Sequence, residues 1–222
     1  MGLSTVAIVP VKTLADAKRR LSRHLTIQER RLLVLAMLED VLNAIQASNA
    51  FQETIVVSLD KTVIASAAKR GSKSLLQTGP GLNTGIRQAT SQAIKTGATT
   101  TANILADIPL IQPQDFDEIL KIGSGSARVI LSPSFDGGTN IMLRSPPNII
   151  DHSYGRWSFT RHLRYAQKNQ VPVYAVSNSR SSFDVDTIDD LRNIMHLDPS
   201  GRTRTATLVR EFESLHALTR NA

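Results

Sequence analysis

One stretch constrains this chain more than any other: Ile104-Leu105-Ala106-Asp107-Ile108-Pro109-Leu110, an apolar run that reaches one carboxylate and meets a proline two residues later. Runs of this kind read as strands buried on both faces, as in the middle of a parallel sheet covered by helices. Proline cannot donate to a sheet ladder, so the strand is expected to end near Asp107. A carboxylate then stands at the carboxyl end of a central strand, where open α/β sheets bind ligands. Taken alone, Asp107 is as readily the cap of a turn as a ligand.

The rest of the chain alternates in the same sense. Residues 5–11 read as a strand, and Thr26-Ile27-Gln28-Glu29 reads as a capping box opening a helix with apolar residues at Leu32, Leu35, Leu38, Val41 and Ile45. Strands are expected over 54–59, 74–77, 128–132, 140–144 and 171–176, and helices over 62–69, 82–96, 113–122, 158–169 and from Ile188. Alternation like this predicts an α/β fold, a mostly parallel central sheet with helices on both faces. Its 222 residues suffice for one substantial core, so a single domain over 1–222 is expected. The basic, polar stretch of about 201–222 is expected as a loosely docked helix. The leucine-rich helix is expected to pack into the core, with a homodimer face as the alternative.

Composition removes several classes of function. Cysteine is absent, so neither a disulfide framework nor a thiolate metal site is available. No apolar stretch approaches a membrane span and no signal-peptide pattern opens the chain, so a cytoplasmic enzyme is expected. The formal net charge of +7 invites a polyanion, but the basic residues are scattered and aromatics make up only 5%. That leaves little for stacking bases, so small phosphorylated molecules fit better than nucleic acid.

Four further segments carry candidate chemistry. In Phe183-Asp184-Val185-Asp186-Thr187, extended backbone would turn Asp184 and Asp186 the same way, and a divalent cation would relieve their repulsion. With Asp107 they make a hard-oxygen set suited to Mg²⁺; the alternative is helix capping, the expected role of Thr187, Asp189 and Asp190. After the first strand, Pro10-Val11-Lys12 and Lys18-Arg19-Arg20 offer charge to a triphosphate without a glycine-rich cradle, or else form a solvated basic face. Asp136-Gly137-Gly138-Thr139 and Gly155-Arg156-Trp157-Ser158 combine close backbone approach with hydroxyls and a helix start suited to a phosphate or carboxylate. Gly81-Leu82-Asn83 places an amide at a helix start, as a cap or as a reader of a base edge. The histidines show no ligand spacing, and His162 reads as packing or surface.

Taken together, PVKTLADAKRRL, AMLEDVL, GLNTGI, ADIPL, FDGGTN, YGRWSFTRHL and DVDTIDDL resemble, in order and spacing, the CofC family of guanylyltransferases of coenzyme F-420 biosynthesis. The resemblance runs from Val9 to about Leu191. It implies a three-layer, Rossmann-like (GT-A-like) nucleotidyltransferase fold, GTP as donor, Mg²⁺ as cofactor and a phosphorylated three-carbon acid as acceptor. The acceptor would be 2-phospho-L-lactate, phosphoenolpyruvate or 3-phosphoglycerate, and a downstream transferase of the same pathway would consume an unstable product. By motif, Asp107 and Asp186, with Asp184, would hold the metal. Thr139, Gly155 and Ser158, with Asp136 and Gly138 in the turn beside them, would bind the acid. Pro10, Lys12, Lys18, Gly81 and Asn83 would face the nucleotide. Two departures affect the nucleotide side: the loop before Gly81 lacks an acidic residue usual there, and Arg19 replaces a commoner small residue. The competing readings are transfer to a sugar phosphate or molybdenum-cofactor precursor, and a nucleotide-binding module without catalysis.

Overall fold

The computed structural model describes residues 4–123 and 125–220, with side chains through 213. Its sheet is built outward from β1 (Thr5–Val11), whose seven residues are all buried. On one side lie β2 (Glu53–Ser58) and β3 (Lys73–Leu76); on the other lies β4 (Thr100–Ile104). Beyond β4 come β6 (Thr139–Ser145), β5 (Arg128–Pro133) and β7 (Val173–Ala175), completing seven strands in the order β3-β2-β1-β4-β6-β5-β7. Only β6 runs against its neighbours β4 and β5; the other described pairings are parallel. The chain leaves β1 toward β2 and β3, then returns to β1's other side as β4. Strand order therefore reverses between β1 and β4, the position at which open α/β sheets form a crevice beyond their carboxyl ends.

Helices cover both faces. Thr26 and Glu29 cap each other as the sequence predicts, and α1 (Ile27–Ala47) follows. With α2 (Lys61–Lys69), α4 (Pro113–Lys121), α6 (Ile188–Leu197) and α7 (Arg204–Arg220), α1 buries the face that carries Ala7, Val9, Val11 and Val56. On the opposite face α3 (Leu82–Lys95) sets Ala89 and Ala93 against Val6, Ile8, Ile55 and Val57. There α5 (Ser158–Lys168) brings Ala166 against Val129, Leu131 and Met142. Leu33, Leu38, Val41, Leu42 and Ile45 lie in the core, while Leu32 stays exposed.

Two expectations change. The strand that leads to Asp107 is the more polar Thr100-Thr101-Ala102-Asn103-Ile104, and it ends three residues before the carboxylate. Leu105 N–H still bonds to Asn140 O, after which the chain turns away and Asp107 O accepts from Val185 N–H. The apolar run is thus the loop beyond the strand, held by a second segment rather than stopped by Pro109. The segment from Gly201, expected to dock loosely, holds firmly in its described part. Leu208, Val209 and Phe212 are buried in the core shared with α1, Ala206 is buried too, and Asp40 of α1 accepts from the backbone N–H groups of Arg204 and Thr205.

Candidate active site

The crevice beyond β1 and β4 is a cleft of ≈ 620 Å³. Lys18 reaches it from a loop that follows β1 and is anchored by buried Leu14 and Leu21 and by Arg30 Nη1 bonding to Ala17 O. Its backbone is left-handed (φ 52), at the start of the turn Arg19–Leu21. The ammonium, on a side chain only 7% exposed, lies 2.7 Å from Asp107 Oδ2 and 2.7 Å from Asp186 Oδ1. The Asp107 carbonyl holds Val185 N–H, which brings the neighbouring Asp184 and Asp186 up to Asp107. Phe183 and Val185 point into the core and the two aspartates line the cleft. The alternation read from sequence is therefore present, in extended chain that belongs to no strand.

Charge here is unevenly balanced. Burial works against the Lys18 ammonium, but Asp107 and Asp186 outweigh it and hold its pKa above the usual lysine value. Burial would raise Asp186, and Lys18, Arg20 and Lys12 bring it below the usual carboxylate value. At Asp184 burial, then the charges of Asp107 and Asp186, outweigh the opposing charge of Lys18 and push the pKa up to about 7. Asp107 Oδ1 is buried without a hydrogen-bond partner. Among the described residues no three acidic or imidazole groups close a metal cage. What the cleft offers is two carboxylates, one of them with an orphaned oxygen. This fits an ion such as Mg²⁺, which takes one or two carboxylates and fills its shell with phosphate oxygens and water.

The opposite wall carries hydroxyls. Ser158, the first residue of α5, bonds to Thr139 Oγ1 at 3.2 Å, and His162 Nδ1 lies 3.0 Å from the same oxygen. Gly155 has φ +132, where a Cβ would be strained and would press on the Arg161 guanidinium at 3.3 Å. Gly137 also has positive φ, and a Cβ there would strike the Trp157 ring at 2.8 Å. Gly137 thus lets the 136–138 turn close on the 155–158 loop. Burial lowers the pKa of His162 to about 3, so the ring is neutral.

Of the residues singled out from sequence, Pro10, Lys12, Lys18, Asn83, Asp107, Asp136, Gly138, Thr139, Gly155, Ser158, Asp184 and Asp186 line the cleft. Gly81 does not; it precedes α3 and its carbonyl accepts from Gln77 Nε2. Asn83 neither caps the helix nor offers a free amide, because its side chain accepts from Tyr154 N–H and donates to Tyr154 O. The Asp136 carboxylate is taken by Ser134 Oγ–H and Gly138 N–H, so both residues serve the turn. The α5 start is no open anion nest either: Ser158 N–H bonds to Gly155 O and Phe159 N–H to Gly137 O. His162 is the residue the sequence reading passed over. Its signal was the spacing from Ser158, four residues and hence one helical turn away on the same face.

Residues 5–212 match the family model described as Guanylyl transferase CofC like. The chain is 36% identical over 199 residues to the phosphoenolpyruvate guanylyltransferase of Sphaerobacter thermophilus, covering 90% of this chain and 96% of that one. It is 32% identical over 194 residues to the 2-phospho-L-lactate guanylyltransferase of Methanocaldococcus infernus, covering 87% and 86%. A cytidylyltransferase structure from Leptospira borgpetersenii superposes with a TM-score of 0.61 at 14% identity, covering 100% of this chain and 98% of that one, a likeness of fold. A mostly parallel seven-stranded α/β sheet, a carboxylate–ammonium cluster at its switch point and a family match across nearly the whole length agree, and the chain belongs to the CofC-like guanylyl transferase family.

Proposed function

We propose that the chain transfers the guanylyl group of GTP to the phosphate of a phosphorylated three-carbon acid, in coenzyme F-420 biosynthesis. The observation that carries this reading is the layout of one cleft, with the Lys18–Asp107–Asp186 cluster on one wall and the Thr139–Ser158 hydroxyls beside Gly155 on the other. A phosphate oxygen of the acid forms a bond to the α-phosphorus of GTP. The bond from that phosphorus to the bridging oxygen breaks, and the electron pair leaves with pyrophosphate. The acceptor phosphate is already ionised at neutral pH, so no residue has to remove its proton.

The obstacle is the meeting of two anions. Lys18, its charge secured by two carboxylates, and Lys12 at the same cleft would screen the triphosphate. Thr139, Gly155 and Ser158 would fix the acid, making the encounter effectively intramolecular. Asp107 and Asp186, with Asp184 beside them, would hold Mg²⁺, which when bound supplies charge neutralisation on the transferring phosphate. Phosphoenolpyruvate, 2-phospho-L-lactate and 3-phosphoglycerate share the phosphate and the carboxylate this wall is suited to receive.

The test is pyrophosphate release from each nucleoside triphosphate with each of the three acids, with the downstream transferase present to trap an unstable product. GTP-dependent release with at least one acid is expected. Release only with a sugar phosphate, or with another nucleotide in preference to GTP, would replace the reading with a different nucleotidyl transfer.

A further inference from the structure

His162 is wholly buried on α5, and its two ring nitrogens have partners of different kinds. Nε2 lies 2.9 Å from the backbone N–H of Ser153, a group that can only donate. Nε2 must therefore be the bare nitrogen and Nδ1 the protonated one. Nδ1 lies 3.0 Å from Thr139 Oγ1, so the ring donates to that hydroxyl. Neither Thr139 nor Ser158 then needs to spend a proton on the ring. Between them the two hydroxyls carry two protons, and the 3.2 Å contact between their oxygens uses one. The other is left for the cleft, which both residues line. The opposite tautomer would set an N–H against the Ser153 N–H and draw the Thr139 proton back into the protein.

We propose that His162 is a positioning residue: as the fixed Nδ1–H tautomer it turns the Thr139–Ser158 hydroxyl pair into a donor for the anionic acceptor. The inference rests on the reading that the acid binds at these hydroxyls. The neutral state of the ring agrees with it, since burial holds the imidazole well below its usual pKa. Tyr154 packs edge-on against the ring with centroids 5.2 Å apart, which opposes a ring flip that would put ring carbons in the places of the two nitrogens.

The test combines a spectroscopic signature with a mutant cycle. In the wild-type protein, nitrogen-15 chemical shifts of the His162 ring are expected to show Nδ1 protonated and Nε2 bare; the reverse assignment overturns the proposal. Thr139→Val and His162→Phe are each expected to raise the KM for the acid about tenfold to a hundredfold, as for the loss of a hydrogen bond to a charged group. The KM for GTP should stay level in both. Because His162 acts through Thr139, the double variant should be no worse than Thr139→Val alone. His162→Asn, whose side-chain N–H stands where Nδ1–H stood but which cannot serve Ser153, should regain most of the loss. Should the phenylalanine variant not fold, the asparagine variant and the wild-type spectrum decide. A full additive loss in the double variant, or an equal rise in KM for GTP, refutes the positioning role. If Thr139→Val leaves the KM for the acid unchanged, the placement of the acid is wrong and the inference falls with it. A raised KM in Thr139→Val with none in His162→Phe removes the inference alone.

Discussion

At the scale of single residues, the active cleft depends on one carboxylate that does two things. Asp107 Oδ2 holds the Lys18 ammonium while Oδ1 is buried with no partner. Asp107→Asn preserves shape and leaves Lys18 its bond to Asp186, so the fold should survive. Guanylyl transfer should drop by roughly a hundredfold or more, the scale of losing one charge stabiliser at a reacting phosphate. Steady-state pyrophosphate release beside a thermal melt checks this; near-wild-type release would take Asp107 out of the chemistry. His162 gives a second prediction, on stability. Its ring is neutral in the fold, with a pKa lowered to about 3 by burial, against about 6.5 in an unfolded chain. Between those values the unfolded state binds more protons. The contribution is therefore intact above about pH 6.5 and lost as pH falls toward 3, at up to about 1.4 kcal/mol per pH unit. Denaturant titrations from pH 7 to 4.5 should show a shallower pH slope in His162→Asn than in the wild type. The sequence made Asp107, Lys18 and Asp186 legible as candidates, through the apolar run before Asp107, the basic segment after β1 and the alternation of Asp184 and Asp186, each beside a capping or solvated-face alternative. His162 was not, since its meaning lies in two partners, Ser153 and Thr139, that only the fold brings to it.

At the scale of elements, most boundaries follow from local chemistry. Capping boxes open α1 at Thr26 and α6 at Thr187, both legible as a hydroxyl followed three residues later by an acid. The end of β4 was not legible, because the chain leaves the ladder to bond with Val185, a residue far away in sequence. The docking of α7 was hidden in the same way. Its apolar residues are interleaved with arginine and threonine, and its first turn is tied down by a side chain of another helix. Asp40 is buried, which raises its pKa, yet it accepts from two backbone N–H groups and from the Thr205 hydroxyl. Asp40→Ala should strand those donors and cost about 2 kcal/mol. Amide hydrogen exchange should accelerate first over residues 204–212. Uniform acceleration across the sheet instead would mean that Asp40 supports the core as a whole.

At the scale of the whole molecule, the decisive arrangement is the reversal of strand order between β1 and β4. It gathers residues separated by more than a hundred positions, Lys18 and Asp186 among them, at one edge of the sheet. Alternating apolar runs and amphipathic stretches made the layered α/β plan readable, whereas strand order lies in long-range pairings that no local pattern encodes. The plan also orients charge. The protein carries a formal net charge of +7, and Lys12, Lys18, Arg19 and Arg20 all line the cleft. Lys18 is neutralised locally by its two carboxylates, and Arg19 pairs with Asp16. Arg20 lies 3.5 Å from Asp186, so among these four Lys12 is left to act at a distance on an incoming triphosphate. Such attraction is screened over about 10 Å at 0.1 M salt, while contacts inside the cleft are screened much less. Raising ionic strength from about 50 to about 500 mM should therefore increase the KM for GTP several-fold and leave kcat nearly level. Lys12→Gln should flatten that dependence without abolishing turnover. A salt response carried by kcat rather than KM would place the screened charge in the transferring step, and Lys12 with it.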